Sequence, residues 1–248
     1  MALNPYDEQT AAAYKASREI PRDALAEWRE AVRRHLQPGP ETALVDLGSG
    51  TGQFATAFSD WFGIRVLAVE PSAAMRERIP RTPAIQVLEG NATSLPLPDE
   101  SADAVWLSLV IHHIPELEAA AHEIRRVLRP GAPVLIRQGF AGRCGGIENI
   151  RWFPETARLV NGYRSVEETC RAFAAAGFRR DALEPVSETY SASLGDLLAE
   201  LDTLRHADTT LRNLTEDEFL RGKERIRRVV ESGESEPRTN RLDLLALR

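Results

Sequence analysis

The sequence is short of several things, and each shortage removes a class of explanation. Two cysteines, Cys144 and Cys170, occur in 248 residues. They are too few for a disulfide framework and fit a reducing compartment. No second ligand pair is spaced to complete a metal site with them, so no metal is expected. No stretch approaches the roughly 18 apolar residues that span a bilayer. Met1 to Tyr14 contains acidic residues, not a basic segment ahead of an apolar run. Neither a membrane partner nor a signal peptide is therefore expected, and the expected setting is cytoplasmic. Positive charge is in deficit as well. A formal net charge of −6 argues against a general nucleic-acid partner, which would present a basic face.

What is present is ordinary for a globular chain: 43% hydrophobic and 27% charged residues, with no internal repeats. This length buries one substantial core, and a single domain over 1–248 is expected. Leu25, Trp28, Val32 and Leu36 fall at near-helical spacing over 22–36, stopped by Pro38-Gly39-Pro40. The apolar run at Leu44 to Leu47 then enters glycines, as a buried strand enters a tight turn. Helical spacing resumes over 53–62. Val66–Val69, Ile85–Leu88, Ala104–Val110 and Val134–Ile136 are further strand candidates. Between the last two, 116–128 reads as a helix stopped by Arg129-Pro130-Gly131. Short apolar strands alternating with amphipathic helices imply an α/β, doubly wound, mostly parallel sheet covered on both faces.

The rhythm breaks after Gln138. Residues 139–162 are glycine-rich and then aromatic, and match neither a strand nor a clean helix. Helices are expected at 165–176, 195–206 and 216–230, the last opened by a Thr215/Glu218 capping box. Residues 178–190 would be a sixth strand, and Leu242–Leu247 a seventh in the sheet's interior. Glu231 to Asn240 reads as a polar loop. The expected organisation is a helical cap over 1–40, a cofactor-binding core over 41–138, and lid additions at 139–163 and 191–235.

The chemistry concentrates at Val45-Asp46-Leu47-Gly48-Ser49-Gly50-Thr51-Gly52. Glycine permits positive φ and close approach to a ligand, and open parallel sheets bind ligands at strand carboxyl ends. A dinucleotide fingerprint needs glycine or alanine where Gln53 stands, so the pattern is G-x-G-x-G. Glu70 closes the next strand about 20 residues on, where a carboxylate accepts ribose hydroxyls or caps a helix.

Taken together these segments resemble a family. VDLGSGTGQFA (45–55) resembles the first motif of class I S-adenosylmethionine-dependent methyltransferases, and VLAVEPSAAM (66–75) the second. EGNATSLPLPDESAD (89–103) and AAAHEIRRVLRPGA resemble blocks of the UbiE-like, type 11 group. The likeness covers about residues 43–138 and implies a seven-stranded Rossmann-like sheet with S-adenosyl-L-methionine as cofactor and S-adenosyl-L-homocysteine as product. It implies that Asp46 and the loop of Gly48, Ser49, Gly50 and Gly52 hold the methionine portion. Glu70 would take the ribose, with Ser72 and Met75 near the adenine. Relatives carry aspartate where Asn91 stands; its carboxamide oxygen would accept the adenine amine instead, beside the Ala92 N–H. Ser108 would sit beside the sulfonium. Ala13 to Arg18 resembles a segment whose Tyr14 and Arg18 close the pocket, Arg18 on the cofactor carboxylate.

Methyl transfer from a sulfonium is an in-line displacement that needs alignment and exclusion of water. A base serves only an acceptor with a proton to lose. His112 and His113 stand at the rim after the fourth strand, as base or as pocket-shaping pair. Phe140, Trp152, Phe153 and Tyr163 are candidate walls for a flat or apolar acceptor. An Asn/Asp-Pro-Pro-aromatic motif for amine methylation of nucleic acid is absent, since Leu107-Ser108-Leu109-Val110 occupies that position. The expected function is methyl transfer to a small-molecule acceptor, in specialised metabolism or on quinone-like aromatics, by a monomer or homodimer. The alternatives are a cofactor-binding protein without transferase activity and a nicotinamide-dependent oxidoreductase.

Overall fold

The computed structural model describes residues 20–233 and 238–248. Tyr14 and Arg18 lie outside the described residues. Seven strands are formed: β1 (Ala43–Leu47), β2 (Arg65–Val69), β3 (Ile85–Leu88), β4 (Ala104–Ser108), β5 (Val134–Gln138), β6 (Arg180–Tyr190) and β7 (Arg238–Leu247). They make one sheet in the order β3-β2-β1-β4-β5-β7-β6. β1 to β5 pair in parallel. β7 runs antiparallel to both neighbours, so it alone is reversed.

Alternation along each strand sends side chains to opposite faces, and both faces are covered. Val45, Leu47, Val105, Leu107 and Ile136 pack under α4 (Leu117–Val127) and α7 (Val166–Ala174). Leu44, Val66, Trp106 and Leu135 pack under α1 (Ala26–Leu36) and α2 (Gln53–Phe62), against Trp28, Val32, Phe54 and Phe58. The edge-on contact of Trp106 with Phe58, centroids 5.2 Å apart, fixes α2 over the middle of the sheet. The short α3 (Ala73–Arg76) follows β2 and is capped by Ser72, whose hydroxyl accepts from the Met75 N–H.

Residues 139–163, read from sequence as irregular, hold two short helices, α5 (Glu148–Trp152) and α6 (Ala157–Val160), joined by a 3-10 turn at Pro154–Thr156. α8 (Leu194–Ala207), α9 (Thr209–Arg212) and α10 (Glu216–Ser232) follow β6. α7, α8 and α10 each open on a capping box: Ser165/Glu168, Ser193/Asp196 and Thr215/Glu218. The expected polar loop 231–240 is shorter than read. α10 reaches Ser232, and Arg238 already pairs with Tyr190, because β6 is long enough to draw the polar start of β7 into its ladder.

These late helices, expected to be a lid, share a core of their own, built on Trp152, Phe153, Leu201, Phe219 and Ile226. Phe153 and Phe219 stack, centroids 5.8 Å apart. Gly222 lets α10 lie on the Phe153 ring: a Cβ there would fall 2.0 Å from Phe153 Cδ1. Gly222→Ala is therefore expected to destabilise the protein by about 1–3 kcal/mol in urea unfolding. Gly195→Ala, whose Cβ would meet nothing closer than Ser193 Oγ at 3.4 Å, should leave stability unchanged or raise it. Equal effects would contradict this packing.

Candidate active site

The strand order changes direction at β1, whose chain neighbour β2 lies on one side and β4 on the other, and the crevice opens at their carboxyl ends. The turn leaving β1 is tied to β2. Gly48 N–H and Ser49 N–H donate to the Val69 carbonyl at 2.8 and 3.2 Å. Gly50 N–H donates to Glu70 Oε2 at 2.9 Å, and Ser72 N–H to Glu70 Oε1 at 3.0 Å. Gly48, Gly50 and Gly52 all have left-handed φ, of 72°, 56° and 83°. A Cβ on Gly48 would fall 2.5 Å from Val110 Cγ2, and one on Gly52 2.7 Å from Ile79 Cγ2, whereas Gly50 faces open space. Two of the glycines serve packing; the middle one faces the crevice.

Asp46, one residue before the turn's first leucine, is buried at 2% exposure, and its Oδ2 has no hydrogen-bond partner. Burial, with the Glu70 charge adding to it, pushes its carboxyl up to about 7; the Ala55 N–H of α2 pulls part of the way back. Burial also raises Glu70, while the Ser72 and Gly50 N–H groups and the Arg76 charge oppose it. An ionised, half-satisfied carboxylate at this depth costs free energy that a cationic group beside Oδ2 would recover.

A cavity of about 580 Å³ runs from this turn to the lid. Of the residues expected around a cofactor, Asp46, Gly48, Ser49, Gly50, Gly52 and Ser108 line it, with His112, His113 and Tyr163 beyond. Glu70, Ser72, Met75, Asn91 and Ala92 are not part of its wall. Glu70 sits behind the turn with one backbone donor on each oxygen, and Met75 is buried. Asn91 Oδ1 accepts from both the N–H and the hydroxyl of Thr93 at 2.9 Å, which occupies the lone pairs assigned to an adenine amine.

Three of the four expected wall aromatics do other work. Phe140 belongs to the core beneath α4, and Trp152 and Phe153 fill the lid's own core. Their hydrophobicity is used in packing, and Tyr163 alone of the four reaches the cavity. It stacks on His112, rings 4.2 Å apart and 14° from parallel. Gln138 Nε2 lies 3.3 Å from His112 Nδ1 and donates to the Gly139 carbonyl, which fixes the amide's orientation.

The cavity also has a polar floor that sequence reading missed. Arg137 and Glu188 form an ion pair, 3% and 0% exposed. Glu188 Oε1 takes the Arg137 Nε–H at 3.0 Å, a second Arg137 N–H, and the Trp28 indole N–H at 3.0 Å. Its Oε2 takes the Tyr190 hydroxyl at 3.1 Å and the Asn240 amide at 2.8 Å. Arg137 also donates to Ser108 Oγ at 3.1 Å. Burial and the Glu188 charge push the Tyr190 hydroxyl upward, so it stays protonated. The signal available in sequence was a charge, Arg137, directly after the apolar run Val134-Leu135-Ile136.

Residues 45–136 match a family model described as a methyltransferase domain. The chain is 32% identical over 113 residues to a demethylmenaquinone methyltransferase of Clavibacter sepedonicus, covering 44% of this chain and 46% of that one. It is 34% identical over 121 residues to a ubiquinone/menaquinone biosynthesis C-methyltransferase UbiE of Caulobacter vibrioides, covering 44% and 48%. Residues 45–136 are thus similar to a methyltransferase domain, and both of these relatives are methyltransferases by name. Outside that domain the likeness fades, and the matched part spans about half the length of these curated relatives. The fold continues further. A protein from Anabaena variabilis, described as a methyltransferase of an antibiotic biosynthesis pathway, superposes with a TM-score of 0.72. That match covers 94% of this chain and 99% of the other at 21% identity.

Within the methyltransferase domain, Asp46 sets a pH dependence of stability. Its carboxyl is higher in the folded protein, about 7, than its ordinary value of 3.8. The proton's stabilising contribution is thus full below about 3.8 and lost as pH rises through about 7. Asp46→Asn should be more stable than the parent at about pH 8, by about 2–4 kcal/mol, with the gap closing toward about pH 4. Denaturant titrations across that range check it; a variant less stable at alkaline pH would contradict it.

Proposed function

We propose that this protein transfers a methyl group from S-adenosylmethionine to a small oxygen-bearing acceptor, the cofactor lying along the β1 turn and the acceptor beneath the lid. The observation that carries this reading is the unpartnered, buried Asp46 Oδ2 facing a cavity beside Gly50. S-adenosylmethionine is a cation that supplies an activated methyl on sulfur. Asp46 would hold its ammonium end, and Glu70 the ribose through the lone pairs its two backbone donors leave. Ser108 would mark where the methyl group meets the acceptor.

The lid supplies what displacement chemistry asks of a protein. Leu197, Leu204 and Leu211 line the cavity from α8 and α9 and would keep water from the reacting atoms. A base is required only for an acceptor that must lose a proton. With Nδ1 of His112 engaged by Gln138, that role falls to His113, which lines the same cavity. The relatives' names make quinone-type aromatics the first acceptors to try.

Calorimetry with S-adenosylmethionine tests the cofactor reading. Binding requires ionised Asp46, so affinity should fall by up to about tenfold per pH unit below about 7 and level off above. Asp46→Asn should weaken binding and flatten that profile. Tight binding of NADH with none of S-adenosylmethionine would overturn the reading. Labelled methyl transfer to quinol acceptors tests the activity, with His113→Ala expected to lower turnover by about 10²-fold. Unchanged turnover in that variant would leave His113 a structural residue.

A further inference from the structure

We propose that Arg137 and Ser108 form an oxyanion subsite that selects a phenolate as the methyl acceptor. This rests on the methyltransferase reading and adds to it the chemical class of the acceptor.

Arg137 lines the cavity although it is almost wholly buried. A guanidinium carries five N–H groups. Three are committed, two to Glu188 and one to Ser108 Oγ. The other two have no partner among the described residues. The rings of Trp28 and Phe54 lie 5.3 and 5.4 Å from the guanidinium carbon, and the N–H bonds of a guanidinium lie in its own plane. Its remaining donors are therefore an edge, not a face. Ser108 Oγ already accepts from Arg137, so its own proton is turned to other use, and among the described residues it meets no acceptor. Ser108 and Arg137 are register partners on β4 and β5, which brings these donors to one point of the cavity wall.

Glu188 cannot serve as the missing acceptor. Its two oxygens already receive five donors from Arg137, Trp28, Tyr190 and Asn240. The carboxylate instead locks the guanidinium in place and balances its charge at rest. An arriving oxyanion would find N–H and O–H donors in a dry, preorganised wall, where such bonds are strongest. Val160, Leu197, Leu204, Leu211 and Leu242 add apolar wall to the same cavity, which Glu148, Asn149, Asp208 and Thr210 also line. A wall of this kind takes an aromatic ring, and its donor point takes the ring's oxygen. Binding draws the phenol's ionisation equilibrium toward the anion, with the proton released to buffer.

The probe is 4-nitrophenol, which absorbs in the visible only as its anion, compared with 4-nitroanisole, which has the same ring and cannot ionise. Both are titrated into the full chain saturated with S-adenosylhomocysteine. Preference for 4-nitrophenolate over 4-nitroanisole of about tenfold or more is expected, with bound 4-nitrophenol ionising at lower pH than free. Arg137→Lys keeps the charge but loses the fork and should cut the preference several-fold. The pair Arg137→Gln with Glu188→Gln, which leaves no buried charge unmatched, should abolish it while S-adenosylhomocysteine still binds. Equal binding of the two probes by the parent protein, or a preference that survives both variants, overturns the subsite. Should the variants fail to fold, the parent's ionisation shift decides alone. Failure to bind S-adenosylhomocysteine at all would count against the methyltransferase reading instead, so the two failures are distinguishable.

Discussion

Two carboxylates meet behind one turn, and the donors there suffice for only one of them. Glu70 takes the N–H groups of Gly50 and Ser72 and so pins the turn to the end of β2. Asp46 is left with one oxygen unserved, in a place too dry for the charge to be tolerated easily. That imbalance shapes what the rest of the site must do. In the proposed reading it makes the crevice a receptor for a cation, at a cost to the stability of the protein without that ligand. Binding energy and folding energy are traded at a single side chain, a trade-off common at functional sites.

The same face of the sheet carries the second half of the site. Asp46 on β1, Ser108 on β4, Arg137 on β5, Asn240 on β7 and Glu188 on β6 stand near the ends of their strands beside the cavity. Deeper on this face come Leu44, Trp106, Leu135 and Leu244, all buried. One face thus changes from hydrocarbon to polar groups within two residues. The buried core below gives the polar row its rigidity. A buried ion pair is seldom a source of stability. Here Arg137 is better understood as a fixed donor held by the Glu188 carboxylate, which in turn accepts from Trp28, Tyr190 and Asn240.

The fold was largely legible because its signals are local. Apolar strands, capping boxes such as Thr215/Glu218 and stops such as Arg129-Pro130-Gly131 each act within a few residues. The glycine turn was legible for the same reason. The acceptor side was not. Phe140, Trp152 and Phe153 look like pocket aromatics in a list of residues, yet partners far along the chain, Phe219 and Ile226 among them, draw two of them into the lid core. Glu188 and Arg137 stand 51 residues apart and become a pair only when β7 inserts between their strands. Asn91 was assigned a free carboxamide oxygen, but Thr93, two residues on, takes it. Motifs report the turn that builds them; pairing across the sheet decides the floor.

The central claim is that the buried Asp46 carboxylate awaits a cationic cofactor. The most direct measurement is a crystal structure of the protein with S-adenosylmethionine. The account predicts the cofactor's ammonium group within hydrogen-bond distance of Asp46 Oδ2, with the sulfonium directed toward Ser108. A bound cofactor that leaves Asp46 Oδ2 without a partner, or that lies outside the cavity at the β1 turn, would contradict it.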